Sequence, residues 1–303
     1  MSVRETTRPQ VAIMNAVHDL PVLVARDRGF FRDEGLDIDF VATPGMAQVT
    51  TSHTVSFDSV FDRPLDAAYN DGGIDQYRMC EWGIMKRAVE ATSGGLRGRK
   101  IVALGAAMSS FAIVVGGDSK AYEPEQLKNQ LIAVTPNNGS HFTTLKMMEG
   151  FLAPEYVKTT NAGSMVRRLE ALRQGTVAAA SLMEPWISVA QKQGFRILVE
   201  SHSTRSEAAS DDLDGPTLAA MFRAQARAVE VLAKDPTPYI HYLTAETGGL
   251  LEPGEFQAWR LLHAPPQPYT RERFDDTYNW TVKWDMTVPG ATYENTVDNR
   301  AWA

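Results

Sequence analysis

The sequence predicts an α/β protein in which two lobes enclose a cleft. A strand–helix–strand unit occupies residues 10–40, and a regular alternation of helix and strand follows residue 118. Alternation of this kind indicates a parallel sheet with helices on both faces. From about residue 217 the chain has mostly helical patterns. A chain that leaves one half near residue 117 and returns near residue 205 would build two lobes joined by two crossings.

These crossings define the expected domains. Lobe 1 combines residues 1–117 with residues 205–303, and lobe 2 is residues 118–204. A chain of 303 residues is long enough to bury a core in each lobe. Two strands of lobe 1 are expected on either side of a turn at residues 109–110. Residues 43–64 have no clear period and are expected to form a loop that lines the cleft.

The opening unit predicts where a ligand would bind. An apolar run at residues 11–16 is typical of a buried strand, and residues 20–35 have the spacing of an amphipathic helix. Pro21 suits the first turn of that helix, where its missing N–H has no partner. In open α/β sheets, ligands bind beyond the carboxyl ends of the strands. The expected ligand contacts in this unit are Asn15, His18 and Asp19.

Composition excludes several classes of function. A net charge of -7 argues against a nucleic-acid-binding protein, which would carry a basic face. The single cysteine, Cys80, excludes internal disulfides and a cysteine-rich zinc site. No apolar stretch approaches the roughly 20 residues of a membrane span, and the opening residues lack the pattern of a secretory signal. We therefore expect a cytoplasmic protein without a metal or cofactor.

Four stretches carry a resemblance to a known family. Residues 20–40 follow the pattern P-V-x-V-A-x-x-x-G-F-F-x-x-E-G-L-x-I-x-F. Three others follow in the same order: AYEPEQLKNQLIAV, VRRLEALRQGTVAAASLMEPW and YENTVDNRAW. Together they resemble the nitrate, sulfonate and thiamine-precursor group of substrate-binding proteins, which have the type II periplasmic-binding-protein fold. The resemblance covers nearly the whole chain and implies two lobes around a cleft that holds a small molecule.

The resemblance also implies two kinds of activity. Transport-type members deliver a solute to an ABC permease, whereas other members of the fold are cytoplasmic enzymes, such as hydroxybiphenyl-sulfinate desulfinase and thiaminase I. The desulfinase has a catalytic cysteine in the first strand–helix loop, where this chain has residues 15–19 without a cysteine. The return crossing of the family is usually an apolar strand, but residues 201–216 are polar here.

Cys80 and His18 are the candidate catalytic residues. Cys80 follows a predicted strand and precedes a helix, where a helix N-terminus and Arg78 would favour a nucleophilic thiolate. The alternative is a buried cysteine that acts as a small apolar residue. His18 could act as a general base with Asp19 or Asp58, or could simply bond to backbone groups of its loop. His53 has the same two interpretations.

Further ligand contacts are expected at the ends of other elements. Residues 137–141 open a helix, whose N–H groups and dipole would favour an anion, although plain capping explains the same residues. Family resemblance places Glu184 and Trp186 at the edge of the cleft, where the ring could stack on a ligand; alternatively they are a first-turn acid and a core residue. The candidate contacts outside the opening unit are His53, Asp58, Glu81, Trp82, Asn137, Asn138, Gly139, Ser140, His141, Glu184 and Trp186.

Three functions remain open, and the absence of a secretory-signal pattern favours the first over the second. The first is a cytoplasmic enzyme, a lyase or hydrolase that cleaves C–C or C–S bonds of a small organic acid or heterocycle in the cleft. The second is the solute-binding protein of an ABC importer for a sulfonate, nitrate or pyrimidine-type ligand, without catalysis. A cytoplasmic ligand sensor is a third possibility. Since export is required for the importer, the sequence favours the enzyme.

Overall fold

A computed structural model describes residues 8–43, 64–94 and 96–303 of the chain. In the described part, the strands form one sheet in the order β2-β1-β3-β8-β4-β7-β5-β6, with β9 paired to β4. The strands are β1 Gln10–Ile13, β2 Asp39–Ala42, β3 Gln76–Met79, β4 Arg99–Val115, β5 Leu131–Val134, β6 Lys158–Asn161, β7 Ala179–Met183, β8 Arg196–Ser210 and β9 Leu262–His263.

Helices cover both faces of this sheet and form most of the C-terminal region. Short 3-10 turns, such as Arg300–Trp302, connect some of them. The α-helices are α1 Ala16–Asp27, α2 Phe30–Asp33, α3 Pro64–Asn70, α4 Glu81–Gly94, α5 Gly139–Met148, α6 Met165–Arg173, α7 Trp186–Lys192, α8 Gly215–Lys234, α9 Ile240–Ala245, α10 Arg271–Lys283 and α11 Tyr293–Thr296.

Two long antiparallel strands, β4 and β8, run through the whole sheet. The last residues of β8 pair with β3, β3 pairs with β1, and β1 pairs with β2. We call these strands and their helices the first half. The last residues of β4 pair with β7, β7 pairs with β5, and β5 pairs with β6. We call these strands and their helices the second half. The β4–β8 pairing is irregular between Leu104 and Met108, so the two regular parts of the ladder meet there. The domain boundaries expected from the sequence stay a prediction.

The crossing strands differ from the sequence prediction. The expected turn at residues 109–110 is wrong, because β4 continues through Ser109 and Ser110. Both serines are fully buried and pair with Ser203 and His202 of β8, so small polar side chains fill the interior of the ladder. The polar return segment is likewise a strand. Because β4 and β8 run antiparallel to their neighbours, the sheet is mixed rather than purely parallel.

The first helix begins earlier than predicted and is interrupted. Helix α1 starts at Ala16, so that His18 and Asp19 lie in its first turn and Pro21 in its second. The side chain of Asn15 caps this end by accepting a hydrogen bond from the His18 N–H at 3.0 Å. Gly29, with a φ of 72°, ends the helix, and the short helix α2 follows. A single helix over residues 20–35 is therefore wrong.

Several expectations fall outside or beside the described structure. The proposed cleft loop after β2 lies outside the described residues, as do His53 and Asp58. None of the helices in the described part is both long and apolar enough to cross a bilayer. Within the described ranges, no three His, Cys, Asp or Glu side chains are grouped so that they could hold a metal ion.

Candidate functional site

The loop after β1 holds a histidine in a defined protonation state. The Asn15 side-chain amide lies 2.9 Å from His18 Nδ1, and because its oxygen accepts from the His18 N–H, its nitrogen is the donor. The His18 proton is therefore assigned to Nε2, which is buried and has no partner in the described part of the chain. Burial, together with the charges of Arg205 and Arg78, lowers the pKa of His18 well below its ordinary value. His18 is thus a neutral residue with an unused N–H donor.

Asp19, next to His18, is fully occupied by protein partners. Its carboxylate accepts hydrogen bonds from the Asn15 N–H at 2.9 Å and from Arg78 Nη1 at 2.5 Å. Arg78 also bonds Glu207 at 3.1 Å, so three buried charges form one cluster. Asp19 therefore holds the loop and the sheet together, and its oxygens are not open to a ligand.

The N-terminus of α1 is likewise occupied. Glu246 Oε1 accepts a hydrogen bond from the Ala16 N–H at 2.6 Å. Burial raises the pKa of Glu246 to about 7. Because a carboxylate already sits at this helix end, an anionic ligand would find its donors elsewhere. No local sequence pattern connects Glu246 with Ala16, which lies 230 positions earlier in the chain.

Arg205 is the residue that sequence reasoning missed. It lies on β8 and is only 2% exposed. Its Nε and Nη2 atoms donate only to the carbonyl oxygen of Ser203, both at 3.3 Å. Among the described residues, no carboxylate lies within ion-pair distance of its guanidinium, and the ring of Phe111 lies 5.5 Å away. Burial lowers the pKa of Arg205. The charges of Glu81 and Cys80 act on Arg205 in the opposite direction from burial, but neither group forms an ion pair with it in the described part of the chain. A buried cation without a directly paired carboxylate is costly, and a bound anion would lower that cost.

Cys80 and Gly139 meet at Arg205. A β-carbon added to Gly139 would lie 3.4 Å from Arg205 Nη1 and 3.8 Å from Cys80 Sγ. Cys80 is buried between the end of β3 and the start of α4. The first half therefore contributes Cys80, and the second half contributes the N-terminus of α5. Arg205 also lies close enough to His18 for its charge to lower the His18 pKa. Arg205, Cys80 and Gly139 therefore lie together between the halves, with His18 within range of the Arg205 charge.

The other residues of the 137–141 turn hold α5 in place. Asn138 caps the helix by accepting from the Ser140 N–H at 3.0 Å, and Ser140 Oγ accepts from the Thr135 N–H at 3.1 Å. His141 lies 3.3 Å from a hydroxyl of β6, and burial lowers its pKa. Asn137 is exposed and adopts a φ of 54°. Of this turn, Gly139 is the residue in contact distance of the Arg205 guanidinium.

Glu81 and Trp82 have hydrogen-bond partners in the C-terminal region, although the Glu81 carboxylate lies close enough to Arg205 to raise its pKa. The Glu81 carboxylate accepts from Tyr269 Oη at 2.7 Å and from Arg273 at 2.9 and 3.0 Å. Trp82 Nε1 donates to the carbonyl of Met286 at 3.2 Å. These partners lie about two hundred positions away, a separation across which no local pattern in the sequence could connect them.

Glu184 and Trp186 are buried at the end of β7. Glu184 accepts from Ser188 Oγ at 3.0 Å and from Arg260 Nη1 at 3.3 Å. Burial outweighs these donors and raises the pKa of Glu184 to about 7. Trp186 belongs to the apolar core. Both residues therefore have protein partners, and the structure does not bring them to the Arg205 side chain.

Comparison with known proteins identifies the fold. No protein-family model and no curated protein sequence matches the chain. Solved structures do match over nearly its whole length. One is the alkanesulfonate-binding protein SsuA from Xanthomonas axonopodis pv. citri, with a TM-score of 0.71, 16% identity, and coverage of 98% of this chain and 99% of that one.

Two further structures agree with it. The ligand-binding component of an ABC-type import system from Staphylococcus aureus has a TM-score of 0.70 and 13% identity, and each chain is covered to 98%. A conserved Candida albicans gene product with the generic periplasmic binding protein fold has a TM-score of 0.68 and 12% identity, and each chain is covered to 97%. This chain has the periplasmic-binding-protein fold.

The periplasmic-binding-protein fold confirms the architecture that the sequence resemblance predicted. Identities below 20% show the fold alone, and the function has to come from the site. The neighbours with named roles are ligand-binding proteins, two of them for sulfonates or ABC-type import.

Proposed function

We propose that this protein is a solute receptor that encloses a small organic anion and serves an ABC importer. The observation that carries the proposal is the Arg205 guanidinium, which is buried between the halves without a carboxylate partner in the described structure. Isolated buried charge destabilises a folded protein. A bound ligand that supplies the counter-ion would explain why the positive charge of Arg205 is buried here.

The donors around Arg205 suit the head group of an oxyanion. Arg205 offers Nη1 beside Gly139, at the first turn of the ten-residue helix α5. His18 offers an unused Nε2–H and adds no charge, because its low pKa keeps it neutral. One cation and neutral donors match a singly charged group such as a sulfonate or carboxylate. The alkanesulfonate-binding neighbour makes the sulfonate the first choice.

Catalysis by Cys80 is the second candidate. The thiol lies near the Arg205 guanidinium, because both come within 4 Å of a β-carbon added to Gly139. A substrate bound there would lie against Cys80, which is the arrangement that a lyase or hydrolase with a cysteine nucleophile requires. The receptor needs the same geometry without turnover, so one experiment has to measure both binding and conversion.

A thermal-shift series followed by mass spectrometry separates these functions. The protein would be heated with ethanesulfonate, nitrate, acetate, choline or glycerol at matched ionic strength. A ligand at a hundred times its Kd stabilises by about 2.7 kcal/mol. For a receptor, we expect stabilisation by at least one anion but not by choline or glycerol, and recovery of the compound unchanged after incubation.

Two results would contradict the receptor. Stabilisation by choline or glycerol alone would exclude Arg205 as the ligand partner. Conversion of the compound, abolished in Cys80→Ser, would establish the enzyme instead. The cytoplasmic location expected from the sequence stays a prediction, and cell fractionation tests it. An ABC permease as partner requires the protein on the outer side of the membrane.

A further inference from the structure

Helix α10 is fixed to the first half at both of its ends. Near its start, Arg273 forms an ion pair with Glu81, the first residue of α4, at 2.9 Å. Just beyond its end, the Met286 carbonyl accepts from the indole of Trp82, also on α4, at 3.2 Å. Because both anchors lie on α4, helix α10 has to move with the first half.

The same helix contacts α5 of the second half through six side chains, which we call the clasp. Glu149, directly after α5, accepts from Trp280 Nε1 at 2.8 Å, from Lys283 Nζ at 2.8 Å and from Trp284 Nε1 at 3.2 Å. The rings of Phe142 and Trp280 pack edge to face with centroids 4.4 Å apart. The clasp consists of Phe142, Lys146 and Glu149 from the second half and Trp280, Lys283 and Trp284 from the first.

The clasp and the ligand site share helix α5. Its first residue, Gly139, lies at Arg205, and its last turn leads into Glu149. The start of α5 is bonded to the second half through Thr135 and Ser181. A helix of this length moves as one body, so any motion that separates Gly139 from Cys80 also draws Glu149 away from α10.

We propose that the clasp is a latch that stabilises the closed arrangement of the two halves through protein contacts alone and thereby controls access to Arg205 and Cys80. One carboxylate accepts three donors across the two halves, and opening exposes the packed rings of Phe142 and Trp280. A ligand shifts the balance of two conformations only by its differential affinity for them. A latch made of protein contacts stabilises the empty and the occupied closed forms alike, so it lowers the rates of both ligand entry and ligand release.

The thiol of Cys80 reports this opening directly. It is the only cysteine in the sequence, and it is buried where the halves meet. We would measure its reaction with Ellman's reagent in the ligand-free native protein, in wild type and in Glu149→Ala. Loss of hydrogen bonds from a charged group favours opening by about tenfold or more. We expect Cys80 in Glu149→Ala to react faster by that factor.

Two further proteins make the result specific. Glu155→Ala removes an exposed glutamate of the second half and should leave the rate unchanged. Trp280→Phe keeps the ring packing but removes one donor, so a smaller increase is expected. Urea unfolding of every variant gives the population of globally unfolded protein. From that population follows the rate at which Cys80 would react if it were exposed by global unfolding alone. The latch is refuted if Glu149→Ala reacts at the wild-type rate, or faster only in proportion to its loss of global stability. Neither result depends on which solute binds.

Discussion

Arg78 and Arg205 are buried to almost the same degree, 1% and 2% exposed, but their partners differ. Arg78 donates to Asp19 at 2.5 Å and to Glu207 at 3.1 Å, and both carboxylates are inaccessible to solvent. Arg205, two residues before Glu207 on β8, donates to a backbone carbonyl alone among the described residues. The sheet thus holds one arginine that pairs with two carboxylates and another that, within the described part of the chain, forms no ion pair with a carboxylate.

This difference distinguishes a structural charge from a functional one. In the first half, Asp66 is a second example of the structural kind, because it pairs with Arg87 at 2.7 Å and Arg99 at 3.0 Å. In such clusters every buried arginine pairs with a carboxylate of the protein, although Arg78 Nη2 and Arg99 Nε have no hydrogen-bond partner in the described part of the chain. Arg205 keeps a positive charge and part of its donor capacity for a partner that the described chain does not supply. The following changes test the comparison, from the largest expected effect to the smallest.

Replacing Arg78 should cause the largest loss of stability. Arg78→Met leaves Asp19 and Glu207 buried without their shared counter-ion. Breaking a buried ion pair from one side costs about 3–5 kcal/mol. Urea unfolding would measure it, with Arg173→Met, whose ion-pair partner Glu170 is half-exposed, as the control at about 0–1 kcal/mol. Equal losses in the two variants would show that the cluster around Arg78 is not structural.

Glu184 provides a pH-dependent intermediate case. Its pKa of about 7 in the folded protein exceeds its usual value because of burial. The folded state therefore holds its proton more tightly, and the resulting stability is present at low pH and is lost as pH rises towards 7. Between pH 5 and pH 8, the free energy of unfolding of Glu184→Gln, measured with urea, should increase relative to that of wild type by up to roughly 3 kcal/mol. A difference between the two proteins that is constant with pH would show that Arg260 keeps Glu184 ionised throughout.

Replacing Arg205 should change stability least. Arg205→Met removes a buried charge that has no carboxylate partner in the described chain, so the ligand-free free energy of unfolding should stay within about 1 kcal/mol or rise. The same variant should lose stabilisation by anions, measured in the same urea series with and without ethanesulfonate. A loss comparable to that of Arg78→Met would assign Arg205 to the structural class.

The fold could be predicted from the sequence because its signals are local or depend on spacing. The unit at residues 10–40 and the later helix–strand alternation both indicated α/β architecture, and the predicted fold is confirmed. Asn15 and His18 were found as ligand candidates because they follow a strand. Their assignment stays a prediction, but the structure brings His18 close to Arg205.

The remaining site residues depend on contacts that no sequence pattern reveals. Arg205 was missed because its strand looks polar, and its burial depends on the irregular stretch of the β4–β8 ladder between Leu104 and Met108, which no sequence pattern reveals. Glu81 resembled a cleft residue by position, yet Arg273 and Tyr269 occupy its oxygens. Whether a charged residue is free or paired is decided by chain segments far apart in sequence.

A crystal structure of the protein soaked in bromide would test the central claim most directly, because anomalous scattering locates the anion. We predict a bromide peak within hydrogen-bond distance of Arg205 Nη1, beside Gly139 and facing His18 Nε2. Arg205 paired with a carboxylate of its own chain, with bromide bound only at the surface, would contradict the claim that this arginine is kept for an anionic ligand.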